Sequence, residues 1–194
     1  MKIHGDKISG NCLKVKYTAD YLDLPYDWVD IDINTGESRT AKFLAMSPQG
    51  QVPVLELDDG RTLAQSNAIM RYLANNTALL PDSDFAVAKV DEAMFWEQYS
   101  HEPYIAVCRF QMLYAGKSAS EREDWRVERG ELALEYMNSH LSTREFWVDT
   151  AGISIADIAL LAYTRVAHEG GFDLGKHAHI QRWITHCETA LRLS

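Results

Sequence analysis

Residues 47–74, SPQGQVPVLELDDGRTLAQSNAIMRYLA, decide how the rest of the chain is read. Gln51-Val52-Pro53 leads into Val54-Leu55-Glu56-Leu57, a short strand signal. Asp58-Asp59-Gly60 supplies turn chemistry, and Arg61-Thr62-Leu63 reads as the returning strand. Gln65-Ser66 stands before a helical pattern in which Ile69, Tyr72 and Leu73 fall at i, i+3 and i+4. Ser66 is therefore read as the N-cap, its hydroxyl accepting from an amide of the first turn. A helix start gathers unpaired backbone N–H groups and the positive end of the macrodipole, which suits it to carboxylates. A proline opening a strand lacks a ladder donor. With a cis peptide before it, the chain would turn sharply and leave the Val52 N–H and C=O facing outward. An extended peptide could then add to them as a further strand.

The ordered set Pro48, Gly50, Val52-Pro53, Gln65-Ser66 and Ala68-Ile69 resembles the glutathione-binding half of the glutathione S-transferase family. The resemblance implies a cis Val52-Pro53 bond, with the Val52 backbone pairing with the cysteinyl part of glutathione. It also implies that Gln65 and Ser66 hold the γ-glutamyl carboxylate. Glutathione would be a co-substrate, and no metal is implied.

At 194 residues the chain can bury a sizeable core in one large or two small domains. Hydrophobic content of 46% with 24% charged residues is ordinary for a globular protein. A formal net charge of -9 argues against nucleic acid and anionic membrane surfaces as partners. No apolar run approaches the roughly 20 residues that span a bilayer, and the N-terminus shows no leader-like apolar stretch. Cys12, Cys108 and Cys187 are scattered, which suits reduced thiols and a cytoplasmic location. His177 and His179 lack supporting metal ligands and are read as surface residues.

Before the opening stretch, Met1, Ile3 and Gly5 alternate with polar neighbours as a first strand. Ser9-Gly10-Asn11-Cys12 then opens a helix through Leu24, with Leu13, Tyr17, Tyr21 and Leu22 on one face. Val29, Ile31 and Ile33 alternate with Asp30 and Asp32 as a second strand, and a short helical turn is expected around Phe43-Leu44. A parallel βαβ unit joined to an antiparallel ββα unit is a thioredoxin-like α/β arrangement. The right-handed crossover should bring the loop after the first strand beside Pro53. Residues 1–76 form this expected N-terminal domain, 77–84 a linker, and 85–194 an all-α C-terminal domain. In the latter we expect helices over 85–99, from about 103 to Leu113, and over 121–140, with a break at His101-Glu102-Pro103. A Ser154-x-x-Asp157 capping box opens another, and Ile180, Trp183, Ile184, Cys187 and Leu191 mark a last one. Relatives carry a similar box as a structural element.

Glutathione conjugation needs a thiolate, while a free thiol has a pKa of about 8.5. Ser9, between the first strand and the first helix, stands where a hydroxyl can donate to that thiolate and favour its charged form. In serine-type relatives the catalytic hydroxyl holds this position, so Ser9 is the expected catalytic residue. The Asn11 amide is a second candidate donor. Cys12 is read as a buried structural thiol, and the loop lacks the tyrosine of the tyrosine-type classes. Where many relatives carry Lys or Arg before the Val-Pro, this chain has Gln51, with Arg39 or Lys42 as possible substitutes at the glycine carboxylate. The segment Trp-Glu-Gln-Tyr-Ser-His-Glu-Pro-Tyr resembles one in bacterial transferases, which makes Tyr104, Arg109 and Tyr114 candidates for an electrophile pocket. The resemblance therefore implies a serine-type transferase acting on a small electrophile, as a two-fold homodimer. Two alternatives share the fold: a glutathione-dependent disulfide reductase or peroxidase, and a non-catalytic partner-binding protein.

Overall fold

The computed structural model describes residues 1–193 and resolves the chain into two units, Met1–Thr77 and the remainder from Ala78. In the first, β1 (Lys2–Gly5), α1 (Gly10–Tyr21) and β2 (Asp27–Asp30) precede α2 (Ala41–Met46). Then follow β3 (Val54–Glu56), β4 (Thr62–Ala64) and α3 (Ser66–Leu73). The sheet order is β2-β1-β3-β4. β1 runs parallel to β2 and antiparallel to β3, and β3 pairs antiparallel with β4. This is the thioredoxin-like arrangement, and Ile3, Val15, Ala19, Leu55 and Ile69 form its buried centre.

Local chemistry moves several boundaries. β2 starts at Asp27 and stops at Asp30, ahead of Ile31 and Ile33. Its partner β1 ends at Gly5, which pairs with Asp30, so no ladder remains for Ile33. The Asp32 carboxylate then accepts from the Asn34 and Thr35 amides at 2.8 and 3.3 Å, folding the chain into a turn. α1 ends at Tyr21, before Leu24, and buries Cys12, Val15 and Ala19 where Leu13, Tyr21 and Leu22 were expected. Small and branched residues fit against the sheet, while of the expected face only Tyr17 is buried.

The second unit contains α4 (Asp84–Trp96), α5 (Glu102–Leu113), α6 (Asp124–His140), α7 (Ile155–Thr164) and α8 (Ala178–Leu191). This is the all-helical domain. The expected break at His101-Glu102-Pro103 is a five-residue π-helical turn, Glu97–His101, joining α4 to α5. Pro103 has no N–H to give the fourth carbonyl before it, and a wide turn absorbs that mismatch without ending the helix. α6 begins at Asp124, three residues later than the apolar pattern suggests. Glu121 turns back to accept from the Ser118 amide (2.9 Å) and hydroxyl (2.6 Å) in a separate short turn. Leu79 is buried, and its carbonyl accepts from the Ile155 amide at 3.2 Å. α7 is buried along its whole length and opens with the Ser154–Asp157 capping box. Among the described residues no helix is long and apolar enough to cross a membrane.

Candidate functional site

The strand register gathers the chemistry-bearing loops at one end of the sheet. Val54 at the start of β3 pairs with His4 of β1 on one side and Ala64 of β4 on the other. The chain leaving β1 towards Ser9, the Val52-Pro53 approach to β3, and Gln65 after β4 therefore share that end. Adjacent strands lie about 4.8 Å apart, so β1 and β4 are separated there by roughly 10 Å.

Ser9 precedes α1 in an extended conformation, and its carbonyl accepts from Leu13 at 2.9 Å. Its hydroxyl does not cap the helix but meets the Cys12 thiol. Cys12 is fully buried and also receives the Asp6 amide at 3.4 Å. Burial pushes its thiol up to about 12, against the opposing pull of the Ser9 hydroxyl and the Asp6 N–H. Gly5 makes this closeness possible, because a Cβ there would lie 3.0 Å from both the Cys12 sulfur and the Trp28 ring. We expect iodoacetamide at pH 8 to leave Cys12 unmodified in the native protein and to label it only after unfolding. Rapid native labelling, read by peptide mass spectrometry, would contradict this.

The Val52-Pro53 bond is cis, with Pro53 buried and Val52 half-buried. Among the described residues the Val52 backbone takes no hydrogen-bond partner. The turn ahead of it is held by Gly50, whose amide donates to the Ser47 carbonyl at 2.8 Å and whose φ is +63°. The Ser47 hydroxyl donates to the Gln51 carbonyl at 3.2 Å, and the Gln51 side chain is exposed. Arg39 crosses over Gly50 and donates to the Gln49 carbonyl at 2.9 Å, while Lys42 is exposed. Arg39 thus holds the turn.

α3 starts one residue earlier than expected. Gln65 occupies the cap position with φ 71° and ψ 111°, and Ser66 is the first helical residue. A non-glycine residue rarely adopts this backbone, and such strain concentrates at functional sites. The Gln65 side chain is exposed, and its carbonyl accepts from Ile69 at 2.9 Å. Ser66 is buried, and its hydroxyl donates to the Asn11 Oδ1 at 3.0 Å, a contact across 55 residues of sequence. The turns after β1 and β4 are joined by that bond.

Residues 8–76 match the family model of the glutathione S-transferase N-terminal domain. A glutathione S-transferase from Pseudomonas fluorescens is 46% identical over 97% of this chain and 94% of that one, with a TM-score of 0.92. The chain belongs to the glutathione S-transferase family. One from Xanthobacter autotrophicus is 38% identical over 96% and 92%, with a TM-score of 0.90. A possible family member from Rhodopseudomonas palustris is 40% identical over 96% and 85%, with a TM-score of 0.91.

The remaining candidates of this family member lie in the second unit, from Ala78 onward. Arg109 is buried, with its Nε 2.5 Å from the Glu169 carboxylate. A Cβ on Gly170 would lie 3.0 Å from the Arg109 backbone, so this arginine fastens α5 to the turn at Ala167–Gly170. Tyr104 meets Trp125 edge-on at 6.3 Å and receives Arg129 at 3.4 Å, and Tyr114 stacks on Phe110 at 5.0 Å. His177 is buried, not at the surface, because it leads into α8 directly from the tight turn Leu174–Lys176. No group of three or more metal-ligating side chains occurs among the described residues. The Asn11–Ser66 contact was not foreseen from sequence, since nothing local in either segment announces a partner in the other.

Proposed function

We propose that the protein is a serine-type glutathione transferase that adds the glutathione thiolate to a small electrophile. The Ser66–Asn11 bond carries this reading, because it places the turn that would take the γ-glutamyl carboxylate against the turn that would take the thiol. In this reading Gln65 and Ser66 hold the carboxylate at the N-terminus of α3, where unpaired amides and the macrodipole favour an anion. The unpartnered Val52 backbone pairs with the cysteinyl residue, as an added strand would, with Pro53 setting its approach. Gln51 offers an uncharged donor to the glycine carboxylate. Ser9 donates to the sulfur, assisted by Asn11, and the start of α1 adds its positive end. A cysteine mechanism at Cys12 is disfavoured by a buried thiol that is protonated at neutral pH.

A homodimer in the cytoplasm belongs to the same reading. Phe85, Phe95 and Tyr99 are 78%, 75% and 82% exposed on α4 and the turn that follows it, a concentration of apolar surface that suits a two-fold contact.

Calorimetry with glutathione tests the site. Wild type should bind, and Gln65→Ala should lose at least tenfold in affinity, since both the side-chain contact and the cap geometry change. Equal affinity in the variant would remove Gln65 from the site. Absence of binding in wild type would overturn the transferase reading and leave the partner-binding alternative.

A further inference from the structure

Ser66 has one hydroxyl proton, and in this structure that proton is directed to the Asn11 Oδ1 at 3.0 Å. A carboxylate accepts and cannot donate, so it would have to compete with Asn11 for the same proton. The first turn of α3 already offers a carboxylate the backbone N–H groups that no intrahelical carbonyl takes, and Gln65 stands at the cap position directly before it. Nothing about anion binding there requires the Ser66 hydroxyl to leave Asn11.

The consequence for Asn11 is specific. A primary amide has its acceptor oxygen and donor NH2 on opposite sides of Cγ, so fixing one end fixes the other. Asn11 is the second residue of α1, two positions after Ser9 and on the same turn. Ser66 is 6% exposed and Asn11 is half-buried, so the bond between them is partly shielded from competing water.

We infer that Ser66 is a positioning residue for Asn11, its hydroxyl orienting the Asn11 amide as a second donor to the glutathione sulfur while its backbone N–H serves the carboxylate. This inference rests on the transferase reading and assigns a different task to one of its residues. It also links the two ends of the co-substrate: the turn that receives the carboxylate sets the geometry at the thiol.

The test compares wild type, Ser66→Ala, Ser66→Thr, Asn11→Ala and the Ser66→Ala/Asn11→Ala double variant. Steady-state kinetics with 1-chloro-2,4-dinitrobenzene as electrophile are combined with thiolate absorbance of bound glutathione against pH. For Ser66→Ala we expect kcat to fall about tenfold, the loss of one partly shielded hydrogen bond. The bound thiol pKa should rise by about one unit, with the KM for glutathione changing less than about threefold. Ser66→Thr keeps the hydroxyl and should recover most of kcat. The double variant should be no worse than Asn11→Ala, because both substitutions remove one coupled contact. The opposite pattern overturns the inference: a large rise in KM for Ser66→Ala, with kcat and thiol pKa at wild-type values, would make Ser66 only a carboxylate donor. Additive losses in the double variant would overturn it too. A wild type that binds no glutathione fails at the earlier step and takes both readings with it.

Discussion

Ser9→Ala is expected to lower kcat/KM for glutathione conjugation about 100-fold while leaving the dissociation constant of glutathione within about threefold. A donor aimed at developing or resident negative charge in a partly desolvated site typically carries a factor of 100 to 1,000. Its removal leaves only Asn11 and the start of α1 to favour the charged form, so the bound thiol pKa should rise toward its solution value of about 8.5 and the ionised share at pH 7 should fall. The carboxylate end, held at Gln65 and Ser66, should be untouched, which separates loss of chemistry from loss of binding. Stability should change little, because the Ser9 hydroxyl accepts no capping hydrogen bond from α1. Its resting contact is the Cys12 thiol, so it must rotate from that sulfur to meet the substrate's. Stopped-flow absorbance of the thiolate and steady-state rates would check both halves. Wild-type kcat/KM in Ser9→Ala would refute the serine assignment and pass the role to Asn11.

How far the sequence could be read depended on the range of the interactions involved. The hairpin around Asp58-Asp59-Gly60, the α3 pattern and the Ser154–Asp157 box are local, and each was legible within a few residues. So was the end of the sheet where the loops gather, because crossover handedness decides it. What escaped were the non-local contacts. β2 was placed too late because Val29-Ile31-Ile33 alternates as far as Ile33, whereas the strand can run only as far as its partner β1. Ser66 looks like a cap by residue type, yet Gln65 holds that position in a conformation no propensity favours, and the Ser66 hydroxyl goes to Asn11. The Arg109–Glu169 contact likewise spans 60 residues, and no local pattern announces it.

Asp157→Ala is expected to be the most destabilising single change, by about 3–5 kcal/mol, because it leaves several buried donors without an acceptor. Asp157 is fully buried. Its Oδ1 accepts from the Trp147 amide at 2.6 Å and the Trp183 indole at 2.9 Å. Its Oδ2 accepts from the Ser154 amide at 3.0 Å and hydroxyl at 2.9 Å. Burial raises its pKa, and the four donors oppose that rise. One carboxylate thus ties the start of α7 to α8 and to the segment after α6. In a chain of this length each kcal/mol corresponds to about 2–4 °C, so Tm should fall by on the order of 10 °C. Asp157→Asn tests the reasoning more sharply. Its NH2 would replace an oxygen that faces two donors, so similar size should not protect it, and we expect a loss of about 2–3 kcal/mol. Ser154→Ala, which removes one donor and the cap together, should cost about 1–2 kcal/mol. Urea midpoints and calorimetric Tm would rank the three. An Asn variant as stable as wild type would show that the fold does not need four donors satisfied at this point. Glutathione affinity at 10 °C, well below every transition, should match wild type throughout, because each residue proposed to hold the co-substrate lies within Met1–Thr77, whereas the donors to Asp157 come from Trp147, Ser154 and Trp183.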